Sequence, residues 1–480
     1  MQMIRRFLGT AAKRFWMLGT LVSISLLGCE EGVLYPGGEE ITGFFILPEA
    51  LNLPVGGLFQ LQVSARNAGG ISLPVDQVKW FSSNPTVALV DSTGFVIAQA
   101  QGHTRLTANL REESTSIILV VEALPAAPWI WAEHVCANAD DGSVYCWGRG
   151  TSGALGTGDR RSVRAPAMVL FEGGLSAVST GSGHTCGLRD TGEAWCWGRG
   201  SESQLGNRST QSSFSPVQVK GGFHFSKVAA GGHHTCGLTM DFRLRCWGWN
   251  SFGQLGNGTV IKLWDPVTIA SDQHFKDVSA GGRHTCAVAE SGVMWCWGAN
   301  ERGQLGDGST TAAMSPVRVA TEARFLSVSA GANHTCALDE QNRAHCWGAN
   351  THAELGLGNL MDHQTPKSVS FGFQYQAISA GLYHTCGIEL SGLLYCWGEG
   401  TSGQLGNGTN ALHGNPQLVG TGVYQSVFAG TSFSCAVERD TLKAYCWGTG
   451  SFGQLGQGLL RSSNVPTPVS GSIPFVQIGR

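Results

Sequence analysis

The sequence predicts an all-β protein in which a small β-sandwich precedes a seven-bladed β-propeller of four-stranded blades. Three observations carry that reading. First, Cys-Trp-Gly recurs with a step of 50 residues, at Cys146, Cys196, Cys246, Cys296, Cys346, Cys396 and Cys446. An earlier cysteine precedes each, at Cys136, Cys186, Cys236, Cys286, Cys336, Cys386 and Cys435; a Leu-Gly follows, and a proline from Pro166 to Pro466 closes each unit. So regular a period means one supersecondary unit repeated, each copy too small to bury its own apolar face. Second, 68 of 480 residues are glycine and only 14% are charged, which makes turns plentiful and charged helical surface scarce. Third, the stretch before the repeats breaks into short alternating strands.

The N-terminus reads as an export signal over residues 1–28. Arg5, Arg6, Lys13 and Arg14 precede an apolar run from Phe15 to Gly28 that is too short to span a bilayer comfortably. The run ends Leu26-Leu27-Gly28-Cys29, which resembles the bacterial lipoprotein lipobox, with Leu27 a less usual residue at its position. That resemblance implies cleavage before Cys29 and lipid on its sulfur; ordinary secretion with Cys29 as an unpaired thiol is the alternative. Glu30, in place of an aspartate that would retain the protein at the inner membrane in some bacteria, points to the outer membrane or cell surface. Residues 29–42 are polar and read as a tether, whose eleven or so extended residues reach about 35–40 Å. Removing residues 1–28 takes away four of the 31 basic residues and none of the 34 acidic ones, leaving a net charge of −7. A mildly acidic chain argues against nucleic acid as a partner.

Residues 43–123 contain seven candidate strands: FFIL, LFQLQVSA, VKWFSS, VALVD, GFVIAQA, TRLTANL and TSIILVVE. Seven short strands in about 80 residues suggest an antiparallel sandwich. The segment resembles the bacterial Ig-like group 2 domain through Val55-Gly56-Gly57, the run Trp80-Phe81-Ser82-Ser83-Asn84-Pro85, Ala88, Val90-Asp91, Gly94, Ala98, Gly102 and Thr104. The resemblance implies a spacer or adhesion module. Trp80 is expected to anchor the core and Gly102 to mark the turn before a late strand.

Ala123 to Pro128 reads as a short stiff linker, and the repeat array fills the rest of residues 124–480. Four apolar bursts per unit are illustrated in the third copy by FSKVAAG from Phe225, HHTCGL from His233, LRCWG from Leu244 and PVQV from Pro216. Four short strands make a propeller blade, and seven units close a ring. The first unit lacks the FxxVxAG-like strand, while the chain ends Phe475-Val476-Gln477-Ile478, with Phe475 lying 250 residues after Phe225. The last strand is therefore expected to complete the first blade and leave no open edge.

The two cysteines of each unit are expected to face each other across a hairpin. In CAVAESGVMWC, from Cys286 to Cys296, the pairs would be Ala287–Trp295, Val288–Met294 and Ala289–Val293, with Glu290-Ser291-Gly292 as the loop. Glycine fills the same slot at Gly142, Gly192 and Gly392, Asn342 is compatible with it, and Phe242 is the exception. The seventh unit has one extra residue there. Opposed strand residues lie about 4.5–5.5 Å apart at Cα, within reach of a disulfide. Metal binding is the competing reading, but two ligands per blade with no second pair nearby make a poor site.

The run from Gly281 to Gly292 and on through Cys296 to Gly308 resembles the regulator-of-chromosome-condensation repeat, seven times over about 350 residues. That family implies a seven-bladed propeller. Its founding activity is nucleotide exchange on a small nuclear GTPase with chromatin binding; other members target ubiquitin ligases, and a secreted bacterial member inhibits β-lactamase. An export signal, paired cysteines and the lack of a basic arm depart from the nuclear members. They place GTPase regulation, and a secreted enzyme inhibitor, behind a binding role as alternatives.

His134, His184, His234, His284, His334 and His384 repeat, with Phe433 in the seventh place, and are expected to be buried and bonded to a neighbouring turn rather than to metal. Trp147 and its six equivalents are expected to pack between blades. No G-x-S-x-G, H-E-x-x-H or P-loop motif is present, so neither catalysis nor a cofactor or metal is expected. Specificity should lie where the repeat varies, between each Leu-Gly and the closing proline. Trp249, Trp264, Arg160 and Arg208 are the candidates, because exposed Trp and Arg make interface anchors; Trp264 could instead merely cover its own blade. The expectation is an envelope protein, monomeric and lipid-anchored to the membrane, that docks an unidentified protein or envelope glycan.

Overall fold

The computed structural model describes residues 41–48, 51–54, 58–73, 75–110, 113–122 and 133–479. Cys29, the tether up to residue 40, the Val55-Gly56-Gly57 run and the linker lie outside them. Among the described residues, all regular structure is β-strand apart from one 3-10 turn, Ser370–Gly372.

The N-terminal sandwich packs a four-stranded sheet and two three-stranded sheets around one apolar core that includes Ile46, Leu61, Val96, Leu106, Leu119 and Val121. The run LFQLQVSA is two strands, not one. Leu58–Gln60 pairs with Phe95–Ala98, while Gln62–Arg66 pairs with Gly43–Leu47. The chain changes sheet at Leu61, whose buried side chain sits in the core. A further strand, Leu51–Pro54, runs parallel to Glu113–Glu122, so the sandwich is not wholly antiparallel. Trp80 packs on the core only partly buried. A Cβ on Gly94 would stand 2.8 Å from its indole, which explains glycine there. Gly102 opens the strand Gly102–Leu110, and Thr104 is the hub of a polar knot, its hydroxyl accepting the Asn84 amide at 2.9 Å and meeting Ser82 Oγ at 3.0 Å.

Residues from 133 onward form seven four-stranded antiparallel sheets. Blade 2 shows the pattern: Ala177–Thr180, His184–Leu188, Ala194–Gly198 and Ser213–Gln218, from axis to rim. The strand around Pro216 therefore belongs to blade 2. The rim strand of blade 3 is Leu263–Ile269, around Pro266, so assigning PVQV to the third unit is corrected by one blade. A period fixes spacing but not phase, and the sheet, not the repeat, decides where a unit ends. The last strand, Phe475–Ile478, pairs with His134–Ala139 and completes blade 1. Gly479 N donates to Cys136 O (2.8 Å), and the Phe475 ring lies 5.8 Å from that of Trp147. The last strand is thus paired, and blade 1 has the same four strands as the other blades.

All seven hairpins are cross-linked. The cysteines pair directly, with Cα atoms 4.0–4.1 Å apart. They occupy the narrow, non-hydrogen-bonded sites of the ladder, which accounts for a separation below the expected range. Ala287 pairs with Trp295 and Val288 with Met294, and Gly292 takes the left-handed turn at φ 81°. Phe242 takes the same conformation at φ 62° despite its side chain, and Leu442 does so in the longer seventh hairpin.

Neighbouring blades are joined by one recurring node. In blade 4, both Trp297 Nε1 and Thr285 Oγ1 donate to Gln254 O of blade 3, at 2.9 and 2.8 Å, and His234 Nε2 of blade 3 lies 2.8 Å from the same Thr285 hydroxyl. The hydroxyl proton is already committed to the carbonyl, so the histidine must be the donor and carries its proton on Nε2. The expected partner, a turn, is replaced by a strand hydroxyl of the next blade. The Leu-Gly glycine belongs to the same node: a Cβ on Gly256 would lie 2.6 Å from Trp297 Nε1. At the axis, inner strands are stitched by serine, as where Ser279 Oγ accepts Ala330 N at 2.9 Å and Ser329 Oγ accepts Ala380 N at 2.9 Å. Blade 3 has Ala229 in that place. There Asp277 bridges instead, pairing with Lys227 and accepting Val328 N at 2.9 Å. The axial cavity is only about 70 Å³, so the centre is closely filled.

Candidate binding face

Antiparallel order sends the connections of each blade alternately to two faces. The tight disulfide hairpins and the rim-to-axis crossings share one face. The other, the loop face, carries the connection after the inner strand and the long loop between the Cys-Trp-Gly and rim strands. Varied sequence is concentrated in that long loop. Its ends are fixed by the sheet, and asparagines pin its body: Asn250 Nδ2 donates to Thr259 O (2.9 Å) and Ile261 O (3.0 Å), and Asn300 does the same to Ser309 O and Thr311 O. A rigid frame thus presents short variable segments, as recognition requires.

All four sequence-selected residues fall on this face. Gly248 pairs with Leu263, so Trp249 and Trp264 leave blade 3 at the same end of its sheet. They are not alike. Trp264 stands on the rim strand, 49% exposed, at the place held by Phe214 in blade 2 and Met314 in blade 4. Trp249 lies further in and half-buried, edge-on to the rings of His233 (5.6 Å) and Phe252 (5.3 Å). Arg208 crosses to blade 3, donating from Nε to Asp265 beside Trp264 at 2.8 Å. Arg160 lies over the Phe214 ring of blade 2, 4.8 Å from its centroid. The two arginines clasp adjacent blades at the rim while remaining exposed.

Several residues of this face escaped the sequence reading. Arg283 lies over Phe252 at 4.6 Å and near Glu301 at 3.5 Å; Arg149 pairs with Glu133 and lies over Phe452. His352 stacks on Tyr383 with ring centroids 4.2 Å apart. Next to it, the buried Glu354 accepts the His352 amide at 2.8 Å and lies 3.4 Å from its Nδ1. The bond of its imidazole to the Glu354 carboxylate raises the His352 pKa above the ordinary value. Burial pushes His233 down to about 4, with Arg199 adding to the effect, so its ring is neutral beside Trp249. A signal for Phe252, His352 and Phe452 exists in the sequence. They share one position that reads Ser, Glu, Phe, Arg, His, Ser, Phe around the ring inside the otherwise most uniform stretch of the repeat.

This architecture is that of a repeat propeller preceded by an Ig-like sandwich, and family models assign both parts. The RCC1-like domain model matches residues 131–337, and the regulator of chromosome condensation (RCC1) repeat matches residues 341–388, 391–437 and 443–479. The bacterial Ig-like domain (group 2) matches residues 40–117. The ring is thus an RCC1-repeat propeller, and the sandwich an Ig-like group 2 domain. Among solved structures, human WBSCR16 is 20% identical over 68% of this chain and 95% of its own, with a TM-score of 0.63. Yeast RCC1 (Prp20) bound to Kap60 is 20% identical over 73% and 88%, with a TM-score of 0.63. Prp20p from Saccharomyces cerevisiae, described with its binding to Gsp1p and histones, is 21% identical over 71% and 87%, with a TM-score of 0.62. At such identities the likeness is one of fold. No curated protein sequence matches the chain.

Proposed function

We propose that the protein is an exported, lipid-anchored binder. Cys29 holds it to the outer membrane or cell surface, the sandwich acts as spacer, and the propeller docks another macromolecule, a protein or envelope glycan, on its loop face. It does so without catalysis. The observation that carries this reading is the coincidence of variation and exposure. The long loops that vary between blades also hold exposed apolar side chains, Ile261, Leu360, Met361, Leu459 and Leu460, with Trp264 on the adjoining rim strand, on a frame otherwise uniform from blade to blade. Exposed apolar side chains occur on the hairpin face too, Met168, Leu170, Met240, Phe371 and Leu390 among them, but on the loop face they coincide with the varied loops, which suits an interface. Seven disulfides use all fourteen cysteines of the repeats. Cys29 is then the one cysteine left over, which supports its use for lipid and an oxidising compartment.

Two measurements test the proposal. Radiolabelled palmitate should enter the chain and be lost with Cys29→Ala, together with membrane retention. A photo-crosslinker at Trp264 should trap one defined adduct in intact cells, whereas one at Phe242, on the hairpin face, should not. The Trp249→Ala, Trp264→Ala double variant, without crosslinker, should recover less of the same partner in a pull-down. Equal trapping from both faces, or full recovery with the double variant, would remove the loop face as the docking surface.

A further inference from the structure

The loop face is electrically divided, and the division suggests what docks there. Over blades 1 to 3 it carries seven Arg or Lys side chains against four carboxylates; over blades 4 to 7 it carries three against five. Six of the seven cations are arginine. Four of the seven sit in ion pairs, Arg149 with Glu133, Arg161 with Asp159, Arg208 with Asp265 and Lys262 with Glu202. Arg160, Arg164 and Arg199 are exposed and have no carboxylate within ion-pair distance among the described residues. Arg160 is steadied over Phe214. Arg164 opens the blade 1 rim strand where blade 7 reaches it, Gly458 N donating to Arg164 O at 2.7 Å. Arg199 is the first residue after Cys-Trp-Gly in blade 2, its amide held by Gly183 O at 2.8 Å. The backbones of Arg164 and Arg199 are thus held by hydrogen bonds, and all three residues are exposed.

From this geometry we infer that the sector over blades 1 and 2 is a docking site for an acidic segment of a protein partner, taken up by Arg160, Arg164 and Arg199. The inference rests on the loop face being the docking face. Three guanidiniums outside any ion pair, borne by two adjacent blades of a chain of net negative charge, give that sector a positive potential. The planar fork of arginine suits carboxylates, which it grips in pairs of hydrogen bonds. Trp249 borders the sector with an aromatic edge, and the excess of carboxylates over blades 4 to 7 would repel the same segment, fixing its register.

The test uses the full chain and a fluorescein-labelled peptide alternating glutamate and glycine, read by anisotropy. A lysine–glycine peptide and a ten-nucleotide single-stranded DNA serve as comparison probes. The glutamate peptide should bind, and binding should fade as salt rises from 50 to 500 mM, as charge contacts do. Arg160→Glu, Arg164→Glu and Arg199→Glu together should weaken it about tenfold or more, whereas Glu399→Gln over blade 6 should leave it within about twofold. Unchanged melting and thiol counts would show the triple variant folded. No binding by the parent chain, equal binding by the triple variant, or tighter binding of the DNA than of the peptide would each overturn the assignment. Should the Trp264 crosslink survive in the triple variant while peptide binding was never present, the docking face would stand and only the acidic-segment assignment would fall.

Discussion

The six buried histidines make acid stability a direct test of the blade-to-blade node. His134, His184, His234, His284, His334 and His384 are almost wholly buried. Burial, the first cause in every case, pushes their pKa values from 6.5 down to about 4 at His134 and His334, to about 3 at His234, His284 and His384, and well below the ordinary value at His184. Folded histidines are therefore neutral at pH 5, while those of an unfolded chain are protonated. A depressed folded pKa means that stability is whole above pH 6.5 and lost as pH falls towards the folded values. Each of the five with a stated value should cost about 2 kcal/mol between pH 8 and pH 5, and His233, also pushed to about 4, a like amount; these six together give about 12 kcal/mol, with a local slope near 7 kcal/mol per pH unit, and His184 adds in the same direction. Most carboxylates remain ionised across that window, so the signal belongs to the histidines. The assay is guanidinium unfolding of the disulfide-intact chain, followed by tryptophan fluorescence from pH 8 to 5. His284→Phe provides the internal check, because blade 7 already has Phe433 in this place, fully buried beside Gly430. At pH 8 the variant should lie within about 2 kcal/mol of the parent, since Thr335 Oγ1 keeps its bond to Gln304 O. At pH 5 it should gain about 2 kcal/mol relative to the parent. A midpoint that does not move between pH 8 and 5, or a His284→Phe chain with the same pH slope, would refute neutral donor histidines at the node.

Three further outcomes follow from the same geometry. Alkylation of the denatured, unreduced protein should label Cys29 at most, and removing one bridge by Cys386→Ser with Cys396→Ser should cost up to about 3 kcal/mol, seen as a lowered Tm. Phe242→Asn should raise stability by about 1 kcal/mol in chemical denaturation, because an exposed phenylalanine holds a left-handed turn that Asn342 occupies more cheaply one hairpin pair further on. Glu354→Gln, which installs the residue used at Gln304 and Gln404, should lower the His352 pKa in an NMR titration; an unmoved value would dissociate the raised pKa from Glu354.

Much of the ring was legible because its signals are local. Nine residues between cysteines, with glycine before the second strand, specify hairpin register down to Ala287 opposite Trp295. The stray FVQI strand at the end specifies closure. The joins between blades were not legible. His234 meets Thr285 across 51 residues, and nothing near either residue announces the other. The same blindness made Arg160 and Arg208 look unattached, when each reaches the blade after its own. In the sandwich, LFQLQVSA reads as one strand because alternation continues through Leu61, while the change of sheet there is a tertiary event.

The uniform and the varied parts of the ring bear on function in opposite ways. Buried histidine Nε2, tryptophan Nε1 and the carbonyl before the Leu-Gly turn spend their hydrogen bonds on joining blades, so repetition of such residues argues for a frame. A frame braced inside each blade by a disulfide and between blades by a shared carbonyl has little freedom to rearrange on binding. Recognition must then come from side chains already in place, and differences between blades become the only means of discrimination. The divided charge of the loop face is such a difference. It could not arise from the repeat, since equivalent positions after Cys-Trp-Gly read Arg149, Arg199, Trp249, Ala299, Ala349, Glu399 and Thr449 around the ring. A partner bound by this face should therefore dock in one rotational setting out of seven. Moving the arginine sector by exchanging the loops and rim-strand starts of blades 1 and 2 with those of blades 5 and 6 should turn the bound partner with it.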